Sequence, residues 1–478
     1  MLFNSYEFML IFLPAALVGY FALAGRGLRK PALAFLVFAS LFFYGYWDTR
    51  CAPLLILSVL FNYAVGFYLA DNRSKALCAA GVAANIGLLC YFKYTFFFMD
   101  AAASALNLPY AAPQIILPIG ISFYTFTQMA YIVDCYRGET RKRDLLSYSL
   151  FVTIFPHLVA GPILYHKDII PQFSKPENFS VRYKNLSSGM ALFAMGLMKK
   201  TLADSLSPLV NHVFSNPAAA TLLDSWAGAL AYTIQLYLDF SGYSEMAVGL
   251  GLMFNFNLPV NFNSPYKAKS IIEFWQRWHI TLSAFLKSYL YIPLGGNRRG
   301  QLMKMRNLFI TMLLCGMWHG AGWTFIVWGA YHGVLLVANH QWRRLGVRVP
   351  GAFAWVATFI AVVVGWVIFR ADSLQSAAEL LKAMSGANGV AMPLSLARFA
   401  PLLSWTGADF TTGLGVALFK YELVALPLFL LAVFFFPNPM QIMKKFRPTP
   451  AWAFGLAGVV FFCLLKLSNV TEFLYFQF

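Results

Sequence analysis

Apolar runs of about 20 residues, the length a helix needs to cross a bilayer core, recur near positions 8–24, 31–47, 52–70, 76–98, 114–133 and 145–164. More follow near 187–207, 226–253, 307–341, 352–369, 423–437 and 451–467, and the one at 307–341 is long enough for more than one element. Their lengths predict an all-α polytopic membrane protein with about 11–12 membrane elements, some of them re-entrant or interfacial. No polar linker or low-complexity tract divides the chain, so a single membrane domain over 1–478 is expected. Trp278-His279 and Trp318-His319 repeat a dipeptide forty residues apart, too short an echo to establish inverted repeats.

Composition sharpens this. Of 478 residues, 59% are hydrophobic and 12% charged, about half the charged fraction of a soluble domain. Lys and Arg number 36 against 19 Asp and Glu, a formal charge of +17. These cations punctuate apolar spans rather than lining one exposed face, which assigns them to loops and argues against a nucleic-acid partner. Arg26, Arg29 and Lys30 follow the first apolar run and no Lys or Arg precedes it, so the run is not a cleavable signal peptide. Basic flanks tend to stay in the cytoplasm, which places the N-terminus outside. Arg343, Arg344 and Arg348, and then Lys444, Lys445 and Arg447, mark two further cytoplasmic loops. Residues 370–422 between them balance four basic against four acidic side chains, as an outer loop would, and the terminal Phe473-Leu-Tyr-Phe-Gln-Phe478 then exits outside. The six cysteines include no Cys-x-x-Cys pair, so neither a disulfide framework nor a zinc site is expected, and no metal constellation appears.

Polarity inside apolar surroundings marks candidate chemistry. Leu117–Arg137 carries Pro118, Gly120, Ser122, Tyr124, Thr127, Gln128 and Asp134, a composition that also serves helix contacts. Gln235–Glu245 places Asp239 and Glu245 in a long apolar run, where a structural ion pair and a functional role both answer the cost of burial. In Asn261–Gly300, Glu273 and Arg277 are spaced to pair on one helical face, and the stretch suits an amphipathic helix at the interface or beside a wet cavity. Beyond it, Arg298 and Arg299 form a basic patch with Lys304 and Arg306. The positive-inside rule accounts for that patch, and so does docking of phosphates from an acyl-CoA.

Gly316-Met-Trp-His319-Gly-Ala-Gly322 is the sharpest signal. His319 lies thirteen residues beyond Arg306, about 20 Å along a helix and short of a full crossing of about 30 Å, so it is expected within the membrane. The glycines permit a break there. Imidazole suits proton transfer from a hydroxyl near neutral pH, a hydrogen-bonded strut being the bland alternative, and His279 supplies a second histidine. Cys315, four residues before His319, can share its side of a helix and allows a Cys/His acyl-enzyme, ranked below direct transfer because a buried cysteine is usually a small hydrophobe. The other histidines, His332 among them, have no comparable setting in sequence.

Several motifs together resemble the membrane-bound O-acyltransferase (MBOAT) family, in its bacterial alginate O-acetylase (AlgI-type) branch. They are Leu117-Pro-Ile-Gly-Ile-Ser-Phe-Tyr-Thr-Phe126, Asp134-Cys-Tyr-Arg-Gly138, Phe155-Pro-His-Leu-Val-Ala-Gly-Pro-Ile163, Tyr237-Leu-Asp-Phe-Ser-Gly-Tyr-Ser244, Glu273-Phe-Trp-Gln-Arg-Trp-His-Ile280, Tyr291-Ile-Pro-Leu-Gly-Gly-Asn-Arg298, Trp318-His-Gly320 and the terminal motif. The resemblance implies helices around a central tunnel, with His319 as the central catalytic residue and His279 as the second active-site position. It implies O-acetyl transfer from acetyl-CoA, with no bound cofactor, toward an extracytoplasmic polysaccharide such as alginate, aided by periplasmic acetyltransferase partner proteins at a bacterial cytoplasmic (inner) membrane. Asp239 is then a cavity or bracing residue, Trp275, Trp278 and Trp318 are tunnel or packing residues, and Arg298 and Arg299 are donor-binding candidates at the cytoplasmic mouth. Three alternatives stay open: an acyl-carrier-protein donor, as in the D-alanyl transferases of cell-wall polymers, a polysaccharide or lipid transporter, and a structural scaffold.

Overall fold

The structure is a computed structural model that describes residues 1–107, 115–140, 144–393, 397–398, 401, 409–411, 420–467 and 474. The terminal Phe473–Phe478 motif, Leu474 apart, and most of 394–419 in the expected outer loop lie outside the described residues. The described residues are mostly helical. Its principal helices are α1 (Leu13–Gly25), α2 (Arg29–Gly45), α3 (Cys51–Asn72), α4 (Lys75–Leu106), α5 (Ile121–Arg137), α6 (Leu145–Thr153), α7 (Tyr183–Ser205), α8 (Leu222–Met253), α9 (Ile271–Arg277), α10 (Ile280–Leu286), α11 (Gly300–His319), α12 (Trp323–Arg344), α13 (Gly351–Arg370), α14 (Lys420–Phe435) and α15 (Pro450–Lys466). Among the described residues, one pair of three-residue strands, Ala391–Pro393 and Asp409–Thr411, runs parallel.

Among the described residues, Glu7–Gly25, Cys51–Asn72, Lys75–Leu106 and Gly351–Arg370 are long and apolar enough to cross a membrane. Val424–Phe435 and Pro450–Lys466 are shorter apolar helices. The larger count from the sequence includes helices such as α5 and α11, whose apolar runs are interrupted by polar groups. The apolar run at 307–341 falls into two helices, α11 and α12.

The chain forms two compact units, each assembled from separate segments: Met1–Met198 with Gly242–Asn261 and Pro439–Val470, and Lys199–Ser241 with Phe262–Asn438 and Thr471–Phe478. In the first, Phe3, Phe8, Phe43 and Phe155 form an aromatic core with ring centroids 5.0–6.0 Å apart. Buried amides in its interior pair with one another, as burial favours: Asn62 and Asn85 exchange side-chain hydrogen bonds of 3.2 and 2.7 Å, and Gln128 donates to Ser58 Oγ at 2.9 Å. Asp134, buried, has its Oδ2 3.4 Å from His166 Nδ1. Glycines let α7 and α8 approach here. A Cβ on Gly189 would fall 2.5 Å from the Gly249 carbonyl oxygen, and one on Gly196 2.5 Å from that of Gly242.

The second unit contains both candidate histidines. Its buried ion cluster centres on Lys200, whose Nζ lies 2.6 Å from Asp204 Oδ1 and 2.8 Å from Asp239 Oδ1. Asp239 Oδ2 also accepts the backbone N–H of Leu474 at 3.2 Å, tying that residue to α8.

Candidate active site

His279 occupies a sharp reversal. Ser270 caps α9 by accepting the Glu273 N–H at 3.1 Å, while Glu273 Oε2 accepts the Lys269 N–H at 2.8 Å, a pairing close to a capping box. The Glu273–Arg277 pair expected from spacing forms, with Nη2 to Oε1 at 2.8 Å and Nε to Oε1 at 3.0 Å. The helix then stops. Trp278 is extended and His279 is left-handed, at φ 43° and ψ 56°, before α10 begins. Asn261–Gly300 is therefore a succession of short helices broken at this histidine rather than one amphipathic helix. A non-glycine residue in that conformation costs about 1–3 kcal/mol, and such outliers cluster at functional sites.

His319 is the last residue of α11. Gly320 is extended and α12 starts at Trp323, so the chain turns back across the glycines noted in the sequence. The two helices pack backbone to backbone: a Cβ on Gly316 would lie 2.3 Å from the Phe325 carbonyl oxygen and 2.8 Å from Gly329 Cα. Trp328 of α12 thereby reaches His319, with ring centroids 5.1 Å apart. Phe369 of α13 lies 5.5 Å from the same imidazole.

The two histidines share a neighbour. Trp318 lies 4.9 Å from the His319 ring and 6.3 Å from the His279 ring, and Phe240 closes on His279 at 4.8 Å. His279 is fully buried and His319 is 4% exposed. His332, for which the sequence offers no comparable setting, belongs to the same cluster. One turn beyond Trp328 on α12, His332 packs 4.9 Å from that indole and 5.3 Å from Trp275, fully buried. His279, Trp318, His319, Trp328 and His332 thus form an unbroken run of alternating imidazole and indole rings. The signal available in sequence was the i, i+4 spacing of Trp328 and His332, which repeats the indole–imidazole pairing on the next helix.

The other expected site residues are dispersed around this run. Trp275 touches Trp328 at 5.8 Å, and Trp278 packs with Trp366 at 4.8 Å. Cys315 is fully buried on α11, one turn before His319. Arg298 and Arg299 are exposed just before α11, whose twenty residues separate them from His319 by about 30 Å of helix. Asn307 fixes the intervening turn by donating to the Gly296 carbonyl at 3.0 Å. Asp239 belongs to the Lys200 ion cluster, while the next residue, Phe240, contacts His279. Imidazoles enclosed by aromatic rings can exchange protons with a hydroxyl or a thiol in an environment that strengthens each hydrogen bond they make.

Comparison with known proteins identifies the setting. The family model described as membrane-bound O-acyltransferase family matches residues 134–376. The chain is 41% identical over 428 residues to a peptidoglycan O-acetyltransferase of Helicobacter pylori, covering 82% of this chain and 81% of the relative. It is 45% identical over 401 residues to a probable alginate O-acetylase of Pseudomonas aeruginosa, covering 80% and 75%. A teichoic acid D-alanyltransferase of Streptococcus thermophilus is 27% identical over 241 residues, covering 47% and 57%. With apolar helices long enough to span a bilayer, this multi-pass chain belongs to the membrane-bound O-acyltransferase family and is an O-acyltransferase.

Proposed function

We propose that the chain carries acetyl groups from cytoplasmic acetyl-CoA to hydroxyls of an extracytoplasmic polysaccharide, with His319 as general base. The observation that carries the reading is the contact of Trp318 with both His279 and His319, which gathers two buried imidazoles at one place. An acceptor hydroxyl gives its proton to His319 as its oxygen forms a bond to the thioester carbon. The carbon–sulfur bond then breaks, and the imidazolium returns the proton to the departing CoA thiolate, leaving an acetyl ester and free CoA. His279 orients or polarises the reacting group, and the aromatic rings exclude water that would hydrolyse the thioester.

Exposed Arg298 and Arg299 suit the CoA phosphates, and α11 leads from them to His319. The distribution of basic loops supports an inner-membrane protein with both termini outside. Periplasmic acetyltransferase partners would complete delivery where the polymer is out of reach. The names of the two closer relatives point to polymers as different as alginate and peptidoglycan, and sugar hydroxyls are common to both.

The test supplies acetyl-labelled CoA to purified protein in nanodiscs and measures CoA release, comparing wild type with His319→Ala of equal monodispersity. Release by wild type alone is expected. Equal release by both removes His319 from the chemistry, and none from either, with outer-face partners present, turns the search to a carrier-protein donor.

A further inference from the structure

A cavity of about 500 Å³ lies among α9, α12 and α13, within the size range of small-molecule sites. None of the histidines lines it. Its walls owe their shape to four alanines, Ala338 on α12 and Ala354, Ala357 and Ala361 on α13, which leave space that larger side chains would fill. Apolar groups at its rim remain uncovered: Trp342 is 46% and Val347 53% exposed.

One end of the cavity is cationic. Arg343 donates from Nη2 to Ser270 Oγ at 3.1 Å, which fixes the guanidinium there and uses one of its five donors. The Lys269 ammonium lies beside the start of α13, since a Cβ on Gly351 would sit 3.4 Å from Nζ. That helix is twenty residues long and its N-cap, Pro350, makes no side-chain cap, so its first amides and their partial positive charge face the same end. An ammonium and a helix N-terminus side by side repel each other unless an anion joins them. Glu273 in the lining forms its ion pair with Arg277 and accepts the Lys269 amide, so Lys269 and Arg343 leave this end with a net positive charge.

We propose that this cavity binds an anionic phospholipid, its phosphate held by Lys269, Arg343 and the first amides of α13 and an acyl chain lying on the alanine face. A tryptophan beside cations is the composition of the headgroup level of membranes, and basic pockets between helices take anionic headgroups. The site is independent of the acetyl-transfer reading.

The test uses the full-length protein in detergent, with native mass spectrometry and thermal unfolding in the presence of phosphatidylglycerol, phosphatidylcholine of the same chains, inorganic phosphate or acetyl-CoA. Phosphatidylglycerol alone should remain bound and raise the midpoint. The paired substitution Lys269→Gln/Arg343→Gln should weaken its binding by about tenfold or more, two charge-assisted contacts being lost. Ala357→Trp, on an exposed face of α13, should block binding while the protein stays monodisperse. Equal binding of phosphatidylcholine, the same shift from inorganic phosphate, displacement by acetyl-CoA, or undiminished binding in the paired variant each overturns the assignment.

Discussion

The imidazole of His279 and the indole of Trp318 meet at a centroid distance of 6.3 Å and an angle of 61°, although they lie thirty-nine positions apart in the chain. Two breaks make the meeting possible: the left-handed turn at His279 itself and the end of α11 at His319. Each histidine thus sits at a helix terminus, where its backbone is held by the elements on either side and its ring by aromatic contacts. Rings fixed in this way lose little freedom when a substrate arrives.

His319→Gln should abolish most acetyl transfer while the protein remains folded. Glutamine nearly preserves the volume of the ring and can hydrogen-bond, but it cannot take up a proton at neutral pH. Loss of a general base lowers turnover by about 10²–10⁴-fold. Transfer rates in nanodiscs, normalised to monodisperse protein, would sink the assignment if they stayed within a few-fold of wild type.

At His279 the backbone and the ring can be tested separately. Asparagine tolerates the left-handed conformation, whereas β-branched valine does not. His279→Val should therefore unfold at a lower temperature than His279→Asn, by the equivalent of about 1–2 kcal/mol, while both lose transfer. Thermal scans followed by tryptophan fluorescence decide it: equal midpoints would mean that the turn is not maintained at a cost.

Much of this was readable from residue order. Glycines around Trp318-His319 signalled the break between α11 and α12, and i, i+4 spacing gave the Glu273–Arg277 pair. What stayed hidden depended on tertiary geometry. Asp239 was recognised as an expensive buried carboxylate, but its partner Lys200 lies thirty-nine residues earlier on another helix, and no periodicity links the two. His332 has no comparable setting in sequence, because what links it to His319 is the reversal at Gly320 that brings Trp328, its neighbour on α12, against that imidazole. The amphipathic reading of Asn261–Gly300 failed because composition does not reveal that one histidine adopts a left-handed backbone.

The Lys200 cluster yields an asymmetric expectation. Lys200→Met would leave the buried Asp239 and the partly buried Asp204 without their shared cation, and breaking a buried pair this way costs about 3–5 kcal/mol. Asp239→Asn leaves Lys200 still paired with Asp204 and should cost less. Denaturation midpoints in detergent should order the proteins as wild type, Asp239→Asn, Lys200→Met. Transfer by folded Asp239→Asn should stay near wild type, since the carboxylate braces α8 against Leu474 and takes no proton from substrate. A folded but inactive Asp239→Asn would instead give this residue a part in the reaction.

Gly316 offers the strictest test of the hairpin that presents His319. A methyl group there meets backbone atoms, the Phe325 carbonyl at 2.3 Å and Gly329 Cα at 2.8 Å, and backbone cannot rotate aside as a side chain can. The helices must separate, and overpacking of a filled interior costs about 1–3 kcal/mol or more. Gly316→Ala should therefore lower both the unfolding midpoint and transfer, because separation moves Trp328 away from His319. Gly455 on α15 is the control, with nothing within 4 Å of an added Cβ, and its replacement by alanine should be neutral or stabilising by about 0.5–1 kcal/mol. If the two alanine variants unfold at the same temperature, the close approach of α11 and α12 at this glycine is wrong, and the placement of His319 against Trp328 falls with it.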